Sequence, residues 1–140
     1  MFVVPVVPNI GTIELIVNTL YNIFMRPLIH PSSEDITVEG ILHALSDPVR
    51  ARIFAEIATS DCSQTCTSFA SIGDKSIPKS TLSQHFKVLR EAGLIRSERL
   101  GVEMQNVSRC AEIDKRFPGL LPAIVASFKN QEKKKKSAGR

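Results

Sequence analysis

Residues 79–95, KSTLSQHFKVLREAGLI, constrain this chain more than any other stretch. Leu82, Phe86 and Leu89 recur at helical spacing, so they share one face of a single amphipathic helix. Ser80, Gln84, Lys87 and Glu91 fall on the opposite side, with Thr81, Ser83 and His85 on the flanks. Gly93 is a C-terminal stop, and Leu94 and Ile95 open an apolar run of another kind. The outward face is short and polar, and it both donates and accepts hydrogen bonds. Such a face enters a DNA major groove without clash, and Ser, Thr, Gln and Lys reach base edges and phosphates. An ordinary surface helix has the same pattern, so the flanking sequence must decide between the two.

The next segment, IRSERLGVEMQNVSR at residues 95–109, holds two β-capable runs around Leu100-Gly101, a hairpin tip. Arg96 and Arg99 precede the tip and Arg109 ends the second run. A polar-faced helix followed at once by an Arg-bearing hairpin is the layout of a winged helix-turn-helix. The helix lies in the groove and the hairpin beside it on the backbone. Charge agrees with that layout. The chain's net charge is +4, and residues 75–109 alone hold seven basic and three acidic residues.

Upstream, residues 37–44 read as a first helix with Val38, Ile41, Leu42 and Leu45 as its stripe. Ser46 or Asp47 caps a second helix, with Pro48 in its first turn. Val49, Ile53, Phe54, Ile57 and Ala58 face inward there, while Arg50 and Arg52 point elsewhere. Residues 59–67, TSDCSQTCT, read as a turn-rich linker, and 67–72 as a short helix that begins the helix-turn-helix. Residues 73–76 make the turn, and Ile77 and Pro78 lead into the polar-faced helix. Residues 111–117 connect to a last helix opened by Pro118, with Leu120, Leu121, Ile124, Val125 and Phe128 as its apolar stripe.

SDPVRARIFAEIA, followed by KSTLSQHFKVLREAGLIRSERLG, resembles the ArsR-type (arsenical-repressor-like) winged-helix transcription regulators of bacteria. Asp47, Pro48 and Arg50 match the family's opening signature. Thr81, Leu82, Ser83, His85 to Leu89 and Ala92 to Ile95 match its recognition helix and exit. The likeness spans residues 38–128. It implies a mostly α fold with a small β-hairpin wing, dimerising through the first and last helices of the domain. It also implies that Lys79, Ser80, Thr81, Ser83, Gln84 and Lys87 touch double-stranded DNA from the helix, and Arg96 and Arg99 from the wing. Two departures stand out. Pro78 replaces a Ser common in the family, removing one hydroxyl, and Val102 stands where an Arg often follows the tip glycine. Wing contact therefore rests on Arg99, Arg96 or Arg109.

Relatives that sense metals use a Cys-x-Cys motif or Asp and His pairs on the last helix. Residues 111–129 contain no His, and Cys62 and Cys66 are separated by three residues. Cys-x-x-x-Cys on a helix aligns two sulfurs for a soft ion or a disulfide, but two small partly buried residues give the same spacing. Three cysteines make no disulfide framework and fit a reducing cytoplasm. No cofactor and no enzymatic constellation is expected, since no phosphate-cradling Gly-rich loop and no His–Glu metal pair occurs.

The ends differ from the middle. Residues 1–24 are apolar and carry one charge, Glu14. A signal peptide lacks its basic start here, and Pro5, Pro8, Asn9 and Gly11 break any membrane span. Residues 10–24 can form a helix that extends a dimer interface. Translation is expected to begin at Met25. The expected organisation is an apolar segment and arm at 1–33, a winged helix-turn-helix domain at 34–129 and a disordered basic tail at 130–140. Function is then a homodimeric, sequence-specific DNA-binding repressor with an unidentified inducer and no membrane partner. The alternatives are a thiol sensor on the same fold, using Cys62 and Cys66, or a winged-helix protein-interaction module held at a membrane by the N-terminal segment.

Overall fold

Local signals start and stop most of the helices at the expected places. The computed structural model describes residues 10–24, 28–60, 64–69, 71–72 and 75–139. α1 (Ile10–Phe24) has the expected bounds, and every side chain from Ile10 to Leu20 is exposed. Among the described residues no helix is long and apolar enough to cross a membrane. α2 (Val38–Leu45) begins at Thr37, whose Oγ1 accepts from the Gly40 N–H at 3.1 Å. α3 (Pro48–Ala58) begins at Asp47, whose carboxylate accepts from the N–H groups of Val49 at 2.8 Å and Arg50 at 3.0 Å. Burial pushes the Asp47 carboxyl up, and these two donors with Arg50 outweigh it, leaving it below its ordinary value.

The segment between α3 and the helix that begins at Lys79 departs from expectation. β1 (Gln64–Thr65) pairs antiparallel with β5 (Glu103–Ser108), so the turn-rich linker joins a three-stranded sheet in the order β1, β5, β4 (Ile95–Leu100). The helix expected over 67–72 is a 3-10 turn, Cys66–Phe69, followed by the two-residue strands β2 (Ser71–Ile72) and β3 (Lys75–Ser76). TSFASI offers one large core residue before Ile72, and its Ser and Thr compete for backbone hydrogen bonds. Phe69 alone among them is described as buried, edge-on to Phe86 with ring centroids 5.6 Å apart.

α4 (Lys79–Glu91) lies on a core built from Ile41, Ile53, Phe54, Leu94, Ile95 and Ile113. Leu42, read as part of the α2 stripe, is instead 51% exposed, and Ala44 takes the buried position. α5 (Cys110–Arg116) occupies what the sequence gives as a connection. α6 (Leu120–Ala138) follows after Gly119 in a left-handed conformation, φ +78°. Its stripe packs on its own domain in part. Leu121 is buried, while Leu120, Ile124 and Val125 rest half-buried against the core. The helix continues to Ala138, through residues expected to be a disordered tail. An ion pair from α3 reaches it there: Arg52 Nη2 lies 2.5 Å from Glu132 Oε2.

Candidate nucleic-acid interface

α4 presents its polar side because three anchors fix its rotation. Leu82, Phe86 and Leu89 are buried, and Lys79, Ser80, Thr81, Ser83, Gln84 and Lys87 are all exposed. The six expected contact residues thus share one solvent-facing surface. Pro78 stands at the N-cap, one position before the helical turn expected for it, and supplies no side-chain cap. Leu82 N–H is the first to find a helical acceptor, Pro78 O at 2.9 Å, so the N–H groups before it leave a positive end at the start of α4. Lys87 Nζ lies 3.9 Å from Glu91 Oε1, and both side chains are close to half exposed. Such a surface pair is weak enough for a phosphate to take the lysine.

The helix ends in a Schellman motif. Gly93 N–H donates to Arg90 O and Leu94 N–H to Leu89 O, each at 3.0 Å, with Gly93 at φ +81°. The chain then turns directly into β4, which seats the wing beside α4. The hairpin tip is Gly101-Val102, with Leu100 opposite Glu103, one residue later than expected. Gly101 has φ +64° and no non-glycine residue among those described has positive φ, the type II′ pattern that suits strand twist. Val102, which stands where an Arg often follows the tip glycine in ArsR-type wings, is fully exposed.

The wing arginines differ from one another. Arg96 and Arg99 are exposed, but alternation along β4 sets them on opposite faces. Arg96 Nη2 lies 3.4 Å from Glu112 Oε1. Arg109 is not a wing contact. It is 4% exposed, donating from Nε and Nη2 to Glu112 Oε2 at 3.2 and 2.7 Å and from Nη1 to Pro31 O at 2.8 Å. A guanidinium carries five donors in a rigid fork, and here that fork ties the loop before α2 to α5. Arg50 is likewise a brace. Its Nε donates to Ala44 O at 2.6 Å and its Nη2 to His43 O at 3.2 Å, satisfying carbonyls at the end of α2.

Two groups behind the wing escaped sequence reasoning. Glu112 accepts from Arg109 and from Ser33 Oγ at 2.7 Å, and these bonds hold its carboxyl at about 2. His30 Nε2 accepts the Ser97 N–H at 2.9 Å. Burial lowers the His30 imidazole from its ordinary 6.5, and Arg90, Arg96 and Arg109 lower it further. The Arg109–Glu112 spacing was visible in sequence; partners 67 and 78 positions away were not.

These shifts give stability a pH dependence. Below 6.5 the unfolded chain protonates His30 before the folded one does, so stability falls as pH drops through that window. A second loss, from Glu112, follows between about 4.5 and about 2. Urea melts from pH 7.5 to 5 check the first. His30→Gln, which keeps an acceptor and cannot protonate, is expected to flatten the decline; a decline as steep as wild type would assign it elsewhere.

Cys62 lies outside the described residues, as does the side chain of Cys66, whose backbone opens the 3-10 turn. Among the described residues no three His, Cys, Asp or Glu side chains converge as a metal site.

Residues 45–98 match a family model described as a helix-turn-helix domain. The matched span runs from the end of α2 through α4 into β4. A solved structure titled ArsR-like transcriptional regulator, from Rhodococcus sp. RHA1, is 24% identical, with 71% of this chain and 90% of that chain covered and a TM-score of 0.47. No curated protein matches the chain. The helix-turn-helix match, together with the hairpin that follows α4, supports a DNA-binding transcriptional regulator.

Proposed function

From a winged helix-turn-helix domain with a solvent-facing polar helix, we propose that this chain is a sequence-specific DNA-binding repressor of the ArsR type, acting as a homodimer. The observation that carries this reading is the surface of α4. Lys79, Ser80, Thr81, Ser83, Gln84 and Lys87 are exposed together while Leu82, Phe86 and Leu89 fix the helix to the core. α4 lies in the major groove, and Arg96 and Arg99 approach the backbone from the wing. α2 and α6 pair across a two-fold axis, with exposed Leu42 on the α2 side of the contact. Two reading heads then meet successive grooves about 34 Å apart. A regulator of this kind works where the DNA is, in the cytoplasm, and releases it on an inducing signal.

The face divides its labour. Gln84 carries the amide that pairs bidentately with adenine, worth about 1–3 kcal/mol of discrimination. Gln84→Ala is expected to relax preference at one base pair. Lys87→Ala is expected to weaken binding evenly across sequences and to reduce the salt slope by about 0.9. Anisotropy titrations against a panel of single-base variants of a bound duplex separate the two. Equal effects of both substitutions on every sequence would refute this division.

A further inference from the structure

The last helix outruns the domain it packs on. Its inward row is Leu121, Val125, Phe128 and then Glu132, which takes Arg52 of α3 at 2.5 Å. Beyond Glu132 every described side chain, from 133 to 139, is exposed. The helical part of this extension, residues 133–138, is about 9 Å long. Residues 133–136 are all lysine, and successive positions turn by about 100°, so charge surrounds the helix. Lys135 Nζ lies 3.5 Å from Glu132 Oε1; among the described residues Lys133, Lys134 and Lys136 have no carboxylate in ion-pair range. Four adjacent lysines repel one another, and within the helix only the Lys135–Glu132 pair and the negative end of the dipole offset that repulsion. They are the part of α6 best served by an external anion.

Position identifies the anion. Glu132 lines one cavity, about 340 Å³, with Ser76, Pro78, Thr81 and His85. The basic extension therefore leaves the domain beside the first turn of α4. A membrane surface fits less well, because residues 133–139 contain no large apolar side chain to enter a bilayer.

We propose that lysines 133–136 form a second phosphate-contact element, held next to the recognition helix by the Arg52–Glu132 pair and lying on the duplex backbone beside the groove that α4 enters. The inference rests on the reading of α4 as the DNA-binding helix. It adds a sequence-independent contact outside the helix-turn-helix and wing, so the footprint of each subunit extends past them.

The test uses the full chain with Lys133, Lys134 and Lys136 all changed to Gln, and a 30-base-pair duplex of mixed sequence as probe. Lys115→Gln on α5 is the control, because α6 carries residue 133 about 20 Å beyond its own start near α5. Three lost phosphate contacts flatten the slope of log K against log[NaCl] by about 2.7, so from 50 to 200 mM the wild type loses about 40-fold more affinity than the triple variant. Lys115→Gln is expected to keep the wild-type slope. A wild-type slope in the triple variant overturns the arm and leaves the α4 reading standing. No binding by the wild type at 50 mM overturns both. Retention on phosphatidylserine vesicles that needs the three lysines, with the DNA slope unchanged, assigns the arm to a membrane and overturns the proposal.

Discussion

Phe86→Ala is expected to cost the domain about 3–5 kcal/mol, the range for deleting a buried phenyl ring. Phe86 is 2% exposed and sits between Leu82 and Leu89 on the inward face of α4. Its ring meets Phe69 edge-on, at 5.6 Å and 61° between planes. That contact joins α4 to the 3-10 turn, the part of the helix-turn-helix with the fewest described core residues. Removing the ring leaves a cavity at the joint, and neighbours anchored in a close-packed core collapse into it only in part. A loss this large is a substantial share of the roughly 5–15 kcal/mol that holds an ordinary domain folded. DNA binding should fail with it, since the polar face has no defined direction once the helix is loose. Urea denaturation gives the stability and anisotropy the binding. Phe86→Leu, which keeps most of the apolar volume, should recover much of both. A loss below about 1 kcal/mol for Phe86→Ala would show that Phe86 does not anchor α4.

Gly93→Ala should be nearly as damaging, for two separable reasons. The residue has φ +81°, where an L side chain costs about 1–2 kcal/mol. A Cβ there would also stand 2.5 Å and 2.6 Å from Cγ1 and Cδ1 of Ile36, with Pro31 Cγ at 3.3 Å. Ile36 is 2% exposed and packed in the core, so its side chain has little room to give way. Overpacking of this kind adds about 1–3 kcal/mol. Gly101→Ala isolates the first term, because Gly101 has φ +64° and nothing within 4 Å of its would-be Cβ. Thermal melts of the two variants should therefore differ clearly, with Gly93→Ala the less stable. Equal melting temperatures would mean that Ile36 yields freely and that the exit of α4 is not held by packing. Because this exit aims β4, Gly93→Ala should also weaken wing-dependent binding in the fraction that remains folded.

What the sequence made legible was local. Leu82, Phe86 and Leu89 specify the rotation of α4, and Gly93 its end, because spacing and a left-handed cap are properties of neighbouring residues. Asp47 and Pro48 mark the start of α3 in the same way. Several of the misses depend on distant partners, whereas the helix expected over 67–72 failed for the local reason that Ser and Thr compete for its backbone hydrogen bonds. β1 is two residues long and exists through its pairing with Gln105 and Asn106. Arg109 looks like a surface cation until Pro31 O and Glu112 enclose it. Glu132 looks like one more surface charge until Arg52 reaches it from α3. At the wing, Arg96 and Arg99 were legible as exposed cations, but their separation onto two faces follows from strand pairing.

The proposed role of α4 is that its polar face reads DNA. It is tested most directly by anisotropy titration of the full chain against the DNA upstream of its own gene and a scrambled duplex of equal composition, at 50 and 200 mM NaCl. Tighter binding to the upstream duplex is expected, with an affinity that falls steeply with salt for both. No binding to either duplex at 50 mM NaCl would contradict it.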